Sequence, residues 1–198
     1  MGLGGGDKAS KAAAQANADR QRQIDSAVGQ ITTAYNSPQR QQQIQQYGQN
    51  LRDYFTGQVN DQAKVNARNL KFATARSGLT GGSADVDANR QFQTDYSKGL
   101  LDASRQAQAG TAALQQADAN AKNQLISLTQ SGAYTGAIPT EIAQAQQAAL
   151  GGASGYAAAN ALGDVFSGTS KIYQNEQVAA ANRRAQQTPI GSLYGKGI

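Results

Sequence analysis

The chain has 198 residues, 39% hydrophobic, 6% aromatic and 16% charged, with a net charge of +5 and no cysteine, histidine or tryptophan. Alanine supplies much of the apolar share, so the side chains suit thin helical layers better than a thick globular core. The absence of Cys and His excludes disulfide frameworks, the usual zinc sites, thiol nucleophiles and His-based triads, and neither an enzyme nor a cofactor is expected.

Solubility rests on Gln, Asn, Ser and Thr, as in "QRQQQIQQYGQN" from Gln39 to Asn50. A pI near 9.5 tolerates nucleic acid nearby, without the Lys/Arg clustering of a dedicated DNA binder. No basic start followed by an apolar run, and no apolar run of spanning length, is found, so a soluble, untargeted product is expected. The opening "MGLGGGD" has Gly6 where a myristoylation motif takes Ser or Thr.

In chain order, residues 1–10 read as a flexible Gly-rich arm. From Lys11 to Tyr35 an Ala/Gln-rich run predicts a helix. Ser37 is suited to cap a second helix that has Pro38 at its first position. In that helix Ile44, Leu51, Val65 and Phe72 form a column with seven-residue spacing and Tyr47 and Tyr54 a second beside it, broken by Gln58 and Asp61.

The stretch "ARSGLTGGSADVDANR", residues 75–90, then interrupts the helical pattern. A phosphate-binding P-loop would end its glycines in Gly-Lys-Ser/Thr after a buried strand, whereas here Ala84 and Asp85 follow and helices flank the loop. The reading is a helix–helix turn: Gly78 ends one helix in a left-handed conformation, Gly81 and Gly82 complete the turn, and Ser83 caps the next, with Asp85 and Asp87 in its first turn.

Beyond the turn Val86, Gln93, Leu100, Ala107, Leu114, Ala121 and Leu128 stand seven apart, flanked by Tyr96, Ala103, Gly110 and Ala117. Small residues alternating with leucine allow close helix approach. The expected fold is all-α: residues 11–130 form a long extended helical hairpin turning near 78–83, each arm about 60 Å at about 1.5 Å per residue. Because Gln, Asp and Ala stand where a monomer needs bulk, hairpins are expected to assemble side by side into a ring or tube, with Ile44, Leu51, Val65, Phe72, Val86, Tyr96, Leu100, Leu114 and Leu128 at the packing seams.

Residues 131–170 differ in kind, with no Lys or Arg and only Glu141 and Asp164 as acids. Pro139 and Thr140 mark a helix start, and Gly151, Gly152 and Gly155 offer small-residue faces. Two readings stand: an Ala-rich helix buried in an oligomer, or a segment entering a membrane only as part of a ring, since Gln144, Gln146, Gln147 and Asn160 are costly facing lipid. In the second, Ile142, Leu150, Leu162, Val165 and Phe166 join the three glycines at the membrane-proximal face. Residues 171–198 read as a helix end and an extended tail carrying Arg183, Arg184 and Lys196.

Other constellations are weaker. Asp85 with Asp87, and Asp95 with Asp102, are paired carboxylates without a pocket that would separate their pKa values. Lys64, Arg68 and Lys71 share one helix face, which suits either a solvated surface, with Asp61 pairing Lys64, or contact with DNA phosphates or lipid headgroups. The tyrosines beside the columns suit a wet interface.

An Ala/Gln-rich chain with "ARSGLTGGSADVDANRQ" between two long helices, a Gly/Ala-rich region toward the C-terminus and no Cys or His resembles the internal virion (DNA ejection) proteins of short-tailed bacteriophages, most strongly over residues 40–130. The resemblance lies in composition and layout. It implies a protein stored in the virion interior near the portal, released before the genome, and reassembled in the host envelope as a channel across the outer membrane and periplasm. Its implied partners are itself, other ejection proteins, portal or tail proteins, the passing genomic DNA and the host outer membrane. Two other classes are a structural virion part that never touches lipid, such as a head-to-tail adaptor or internal core protein, and a packaging protein whose DNA binding weakens steeply with salt.

Overall fold

The computed structural model describes residues 6–78, 80–132, 138–159 and 162–169, together with Lys171 and Val178. Four helices follow in order: α1 (Gly6–Tyr35), α2 (Pro38–Ser77), α3 (Ser83–Gln130) and α4 (Ile138–Ala159). Among the described residues there is no strand, and the fold is all-α. The expected arm is shorter than ten residues: Gly6–Ser10 belong to α1, because Ala9 and the alanines from Ala12 onward are strong helix formers. Residues 1–5, and all of 171–198 except Lys171 and Val178, lie outside the described residues.

The helix boundaries have local causes. Ser37 Oγ accepts the Arg40 amide at 3.2 Å, and Pro38 opens α2, where its missing N–H leaves no donor unsatisfied. Gly78, at φ 70°, stops α2, and Gly132, at φ 78°, stops α3, both in the left-handed region that glycine enters without a Cβ penalty. The start of α3 differs from expectation. The Gly82 carbonyl accepts the first helical bond from Val86, so Gly82 holds the cap position and Ser83 is already helical. The Asp85 carboxylate reaches back instead to the Gly81 amide at 2.9 Å.

The chain divides into two compact units. The first gathers α1, α2 as far as Leu51, α3 from Ala107 onward, and α4. Its apolar core joins Ala27, Ile31 and Tyr35 of α1, Leu125 of α3, and Ile138 and Ile142 of α4. Close approach depends on glycine: a methyl at Gly110 would stand 2.5 Å from Leu51 Cδ1 and 2.9 Å from the Tyr156 ring. The second unit gathers α2 from Arg52, the turn, α3 as far as Gln106, and the segment 162–169. There α2 and α3 run antiparallel on either side of the turn, with Phe55, Val59, Ala63 and Leu70 of α2 and Ala88 and Ala103 of α3 buried.

The buried residues follow an eleven-residue spacing, not the seven-residue columns. In α2, Arg40 and Leu51, and Ala63 and Thr74, are buried pairs eleven apart, as are Val59 and Leu70. In α3 the same spacing links Ala103, Leu114 and Leu125, and also Ala107, Asp118 and Thr129. A seven-residue column on a straight helix slips by about 20° per repeat, about 60° from Leu51 to Phe72. That slip carries the column off the seam. Leu51 and Leu114 are buried, Ile44, Tyr96, Leu100 and Leu128 are half-buried, and Val65, Phe72 and Val86 are 54–58% exposed.

A contrast between two glycines tests this packing. Gly110→Ala adds the clashing methyl and is expected to lower stability by about 1–3 kcal/mol, the cost of overpacking. Gly29→Ala, where a methyl meets nothing within 4 Å, is expected to raise it by up to about 1 kcal/mol through helix propensity. Urea midpoints of the two variants moving in the same direction would contradict the close α2–α3 approach at Gly110.

Candidate functional site

The segments singled out as membrane-proximal are where the structure departs furthest from a simple helical stripe. In the first unit, α4 is fastened to α2 by polar bonds. The Tyr47 hydroxyl donates to the Ala153 carbonyl at 2.5 Å, and the Arg40 guanidinium donates to the Gln146 carbonyl at 3.3 Å. Ile142 is 6% exposed in the core, Leu150 is half-buried, and Gly151, Gly152 and Gly155 are exposed with open space around their Cα atoms. One edge of α4 is thus held by its own chain, and at Gly152 and Gly155 an added Cβ would meet nothing within 4 Å.

In the second unit, residues 162–169 form a strap, irregular at 162–166 and helical at 167–169, several of whose backbone groups are bonded by side chains of α2 and α3. Gln58 Oε1 accepts the Leu162 amide at 3.1 Å, and Gln62 Oε1 accepts the Val165 amide at 3.0 Å while its Nε2 donates to the Gly163 carbonyl at 3.2 Å. Buried Asp95 accepts the Thr169 amide at 3.1 Å, the Thr169 hydroxyl at 2.8 Å and Gln91 Nε2 at 2.7 Å. Phe166 is fully buried and stacks on Phe92 with ring centres 5.0 Å apart. Val165 fills the space that Gly99 leaves beside Val59. An irregular backbone cannot be buried without such partners.

A third feature, absent from the sequence reading, is a buried ion pair. Arg40 Nε and Nη2 donate to both oxygens of Asp118, at 2.7 and 2.5 Å, and Nη1 donates to Gln43 Oε1 at 2.9 Å. Arg40 and Asp118 side chains are 1% and 9% exposed, so the pair joins α2, α3 and α4 within one desolvated fork. Nearby, the buried Tyr35 hydroxyl has no hydrogen-bond partner among the described residues. Burial raises its pKa above the usual 10, the Asp118 carboxylate adds to the rise, and Arg40 opposes it.

The sign of that shift follows directly. A tyrosine whose folded pKa lies above its unfolded value contributes stability that is full below pH about 10 and is lost as pH rises through the raised folded value. Tyr35→Phe removes an unsatisfied buried hydroxyl and is expected to leave stability at pH 7 unchanged or up to about 1 kcal/mol higher. It should also reduce the alkaline loss. Denaturation at pH 7 and pH 11 checks both, and a loss above 1 kcal/mol at pH 7 would show that the hydroxyl has a partner.

The paired carboxylates make local hydrogen bonds and ion pairs. Asp85 holds Gly81 and Asn89, Asp87 pairs with Arg90 at 3.0 Å, and Asp102 pairs with Arg105 at 3.4 Å. The Gly81 amide that a phosphate would need is occupied by the protein's own carboxylate. Among the described residues no cluster of acids could hold a metal ion, and no helix is long and apolar enough to cross a membrane. Lys64, Arg68 and Lys71 are exposed together on α2, with Lys64 bridging Asp61 at 3.1 Å.

Asp118 and Arg40 stand at seam positions eleven residues from Ala107 and Leu51, so an eleven-residue reading would have found them. Nothing in the sequence pattern marks Gln58 and Gln62 as strap partners, because glutamine is common throughout this chain. No family, no curated protein and no solved structure matches this chain.

Proposed function

We propose that this protein is a DNA ejection protein of a short-tailed bacteriophage, stored in the virion and reassembled as a homo-oligomeric channel in the host cell envelope, in a ring or tube of helical hairpins. The observation that carries this reading is the way the apolar part of residues 138–169 is held. Ile142 is buried in the apolar core of the first unit, whereas Phe166 and its neighbours are held by side-chain-to-backbone bonds and one aromatic stack outside that core. Such fastenings suit a stored state that can later expose Leu162, Val165 and Phe166 to a new environment. The resemblance in composition and layout over residues 40–130 supports the same class.

A second reading is favoured by a specific observation: no described helix is long and apolar enough to span a bilayer. In that reading the protein is a structural virion part, an adaptor or internal core component, with no membrane role. Dye release from phosphatidylethanolamine/phosphatidylglycerol liposomes, with electron microscopy of the same sample, separates the two. The control variant carries Gly152→Asp and Gly155→Asp, exposed positions where a Cβ would meet nothing within 4 Å. Release with visible rings, lost in the variant, is the channel outcome; rings without release move the protein to the structural class.

A further inference from the structure

The outer face of α2 in the second unit is complementary to itself. Along it lie Asp53, Gly57, Asp61, Arg68, Phe72 and Arg76, spaced by four, four, seven, four and four residues, the spacing of one helix face. With the exception of the half-buried Gly57 these residues are exposed, as is Val65 at the middle of the face. Phe72 at 58% and Val65 at 56% are large apolar side chains without a core to fill, and a Cβ at Gly57 would meet nothing within 4 Å.

The order of these residues is informative because it reads in opposite charge from its two ends. When two copies of this face lie antiparallel about a point between Lys64 and Val65, Asp61 stands opposite Arg68 of the second copy and Asp53 opposite Arg76. Phe72 then stands opposite Gly57, where the missing side chain leaves a hole for the ring. Two-fold symmetry repeats each of these contacts, and next to the axis Val65 of each copy stands opposite Lys64 of the other. A parallel pairing would set Asp against Asp and Phe72 against Phe72. Lys64 lies at the flank, where its bridge to Asp61 leaves it room.

We infer that the Asp53–Arg76 face of α2 is the docking surface for a second copy of this chain, which packs against it as an antiparallel, two-fold helix pair. This interface requires no membrane and no other virion protein. It therefore stands or falls separately from the channel reading.

The chain has no cysteine, so introduced thiols report on it alone. Under mild oxidation Gly57→Cys chains mixed with Phe72→Cys chains should cross-link to each other, and neither should cross-link to itself, since like positions would lie about 22 Å apart at about 1.5 Å per residue. In sedimentation, Asp61→Arg should weaken the dimer by about tenfold, and adding Arg68→Asp to the same chain should restore it, because the exchanged charges again face each other. Self-cross-linking of Phe72→Cys at the rate of the mixed pair, a monomer at all accessible concentrations, or a dimer indifferent to Asp61→Arg would each overturn the inference. The cysteine pairing decides the matter even where a charge variant folds poorly.

Discussion

Replacing Asp118 with alanine is expected to destabilise the first unit by about 3–5 kcal/mol, the largest single loss that the fold predicts. The reason is the state in which the substitution leaves Arg40. Its guanidinium is 1% exposed and, among the described residues, would keep Gln43 and the Gln146 carbonyl as partners. The loss is therefore chiefly the cost of an unpaired buried charge and says little about how much the pair stabilises the native state. The double replacement Arg40→Met with Asp118→Leu separates these quantities. It should recover most of the loss, because a well-packed apolar pair of similar volume is commonly as stable as a buried ion pair. Urea denaturation of the two single variants and the double variant completes the cycle. A loss below 1 kcal/mol for Asp118→Ala would mean that water reaches Arg40. A double variant as unstable as the single ones would mean that the site cannot repack.

The same pair shows what the sequence makes legible and what it hides. Helix existence, the Ser37–Pro38 start and the Gly78 stop follow from local chemistry, because caps and left-handed glycines act within a few residues. The seam does not, since its period must be read over several turns. Seven and eleven residues both fit the first few apolar positions, and only burial at Arg40, Asp118 and Thr129 separates them. Charged and hydroxyl side chains at seam positions look like surface residues in a hydrophobicity count. The apolar Val65 and Phe72 look like core and lie outside. For 162–169, no periodicity exists to read. Its conformation is set by Gln58, Gln62 and Asp95, 74 to 104 residues away in sequence.

Phe166→Ala is the second large effect, and its expected signature is local. Phe166 is fully buried on Phe92, and truncating a buried phenylalanine costs about 3–5 kcal/mol where the surroundings cannot collapse. The strap has an alternative to bearing that cost in place: its remaining fastenings are the hydrogen bonds of Gln58, Gln62 and Asp95, each contributing about 0.5–1.5 kcal/mol net, somewhat more for the bonds to the Asp95 carboxylate. Detachment of 162–169 then limits the loss to the free energy of local opening. Hydrogen exchange should show the Leu162, Val165 and Thr169 amides, which are bonded to those side chains, losing protection in the variant, while amides of α1 and α4 in the first unit keep theirs. Equal loss of protection in both units would show that the strap does not open by itself. In the proposed channel protein the strap must leave its site before Leu162, Val165 and Phe166 can meet lipid. Where that release limits the rate, Asp95→Ala, which frees Thr169 but keeps the apolar side chains, should speed liposome leakage, and Phe166→Ala should gain less because it also removes the aromatic ring offered to the membrane.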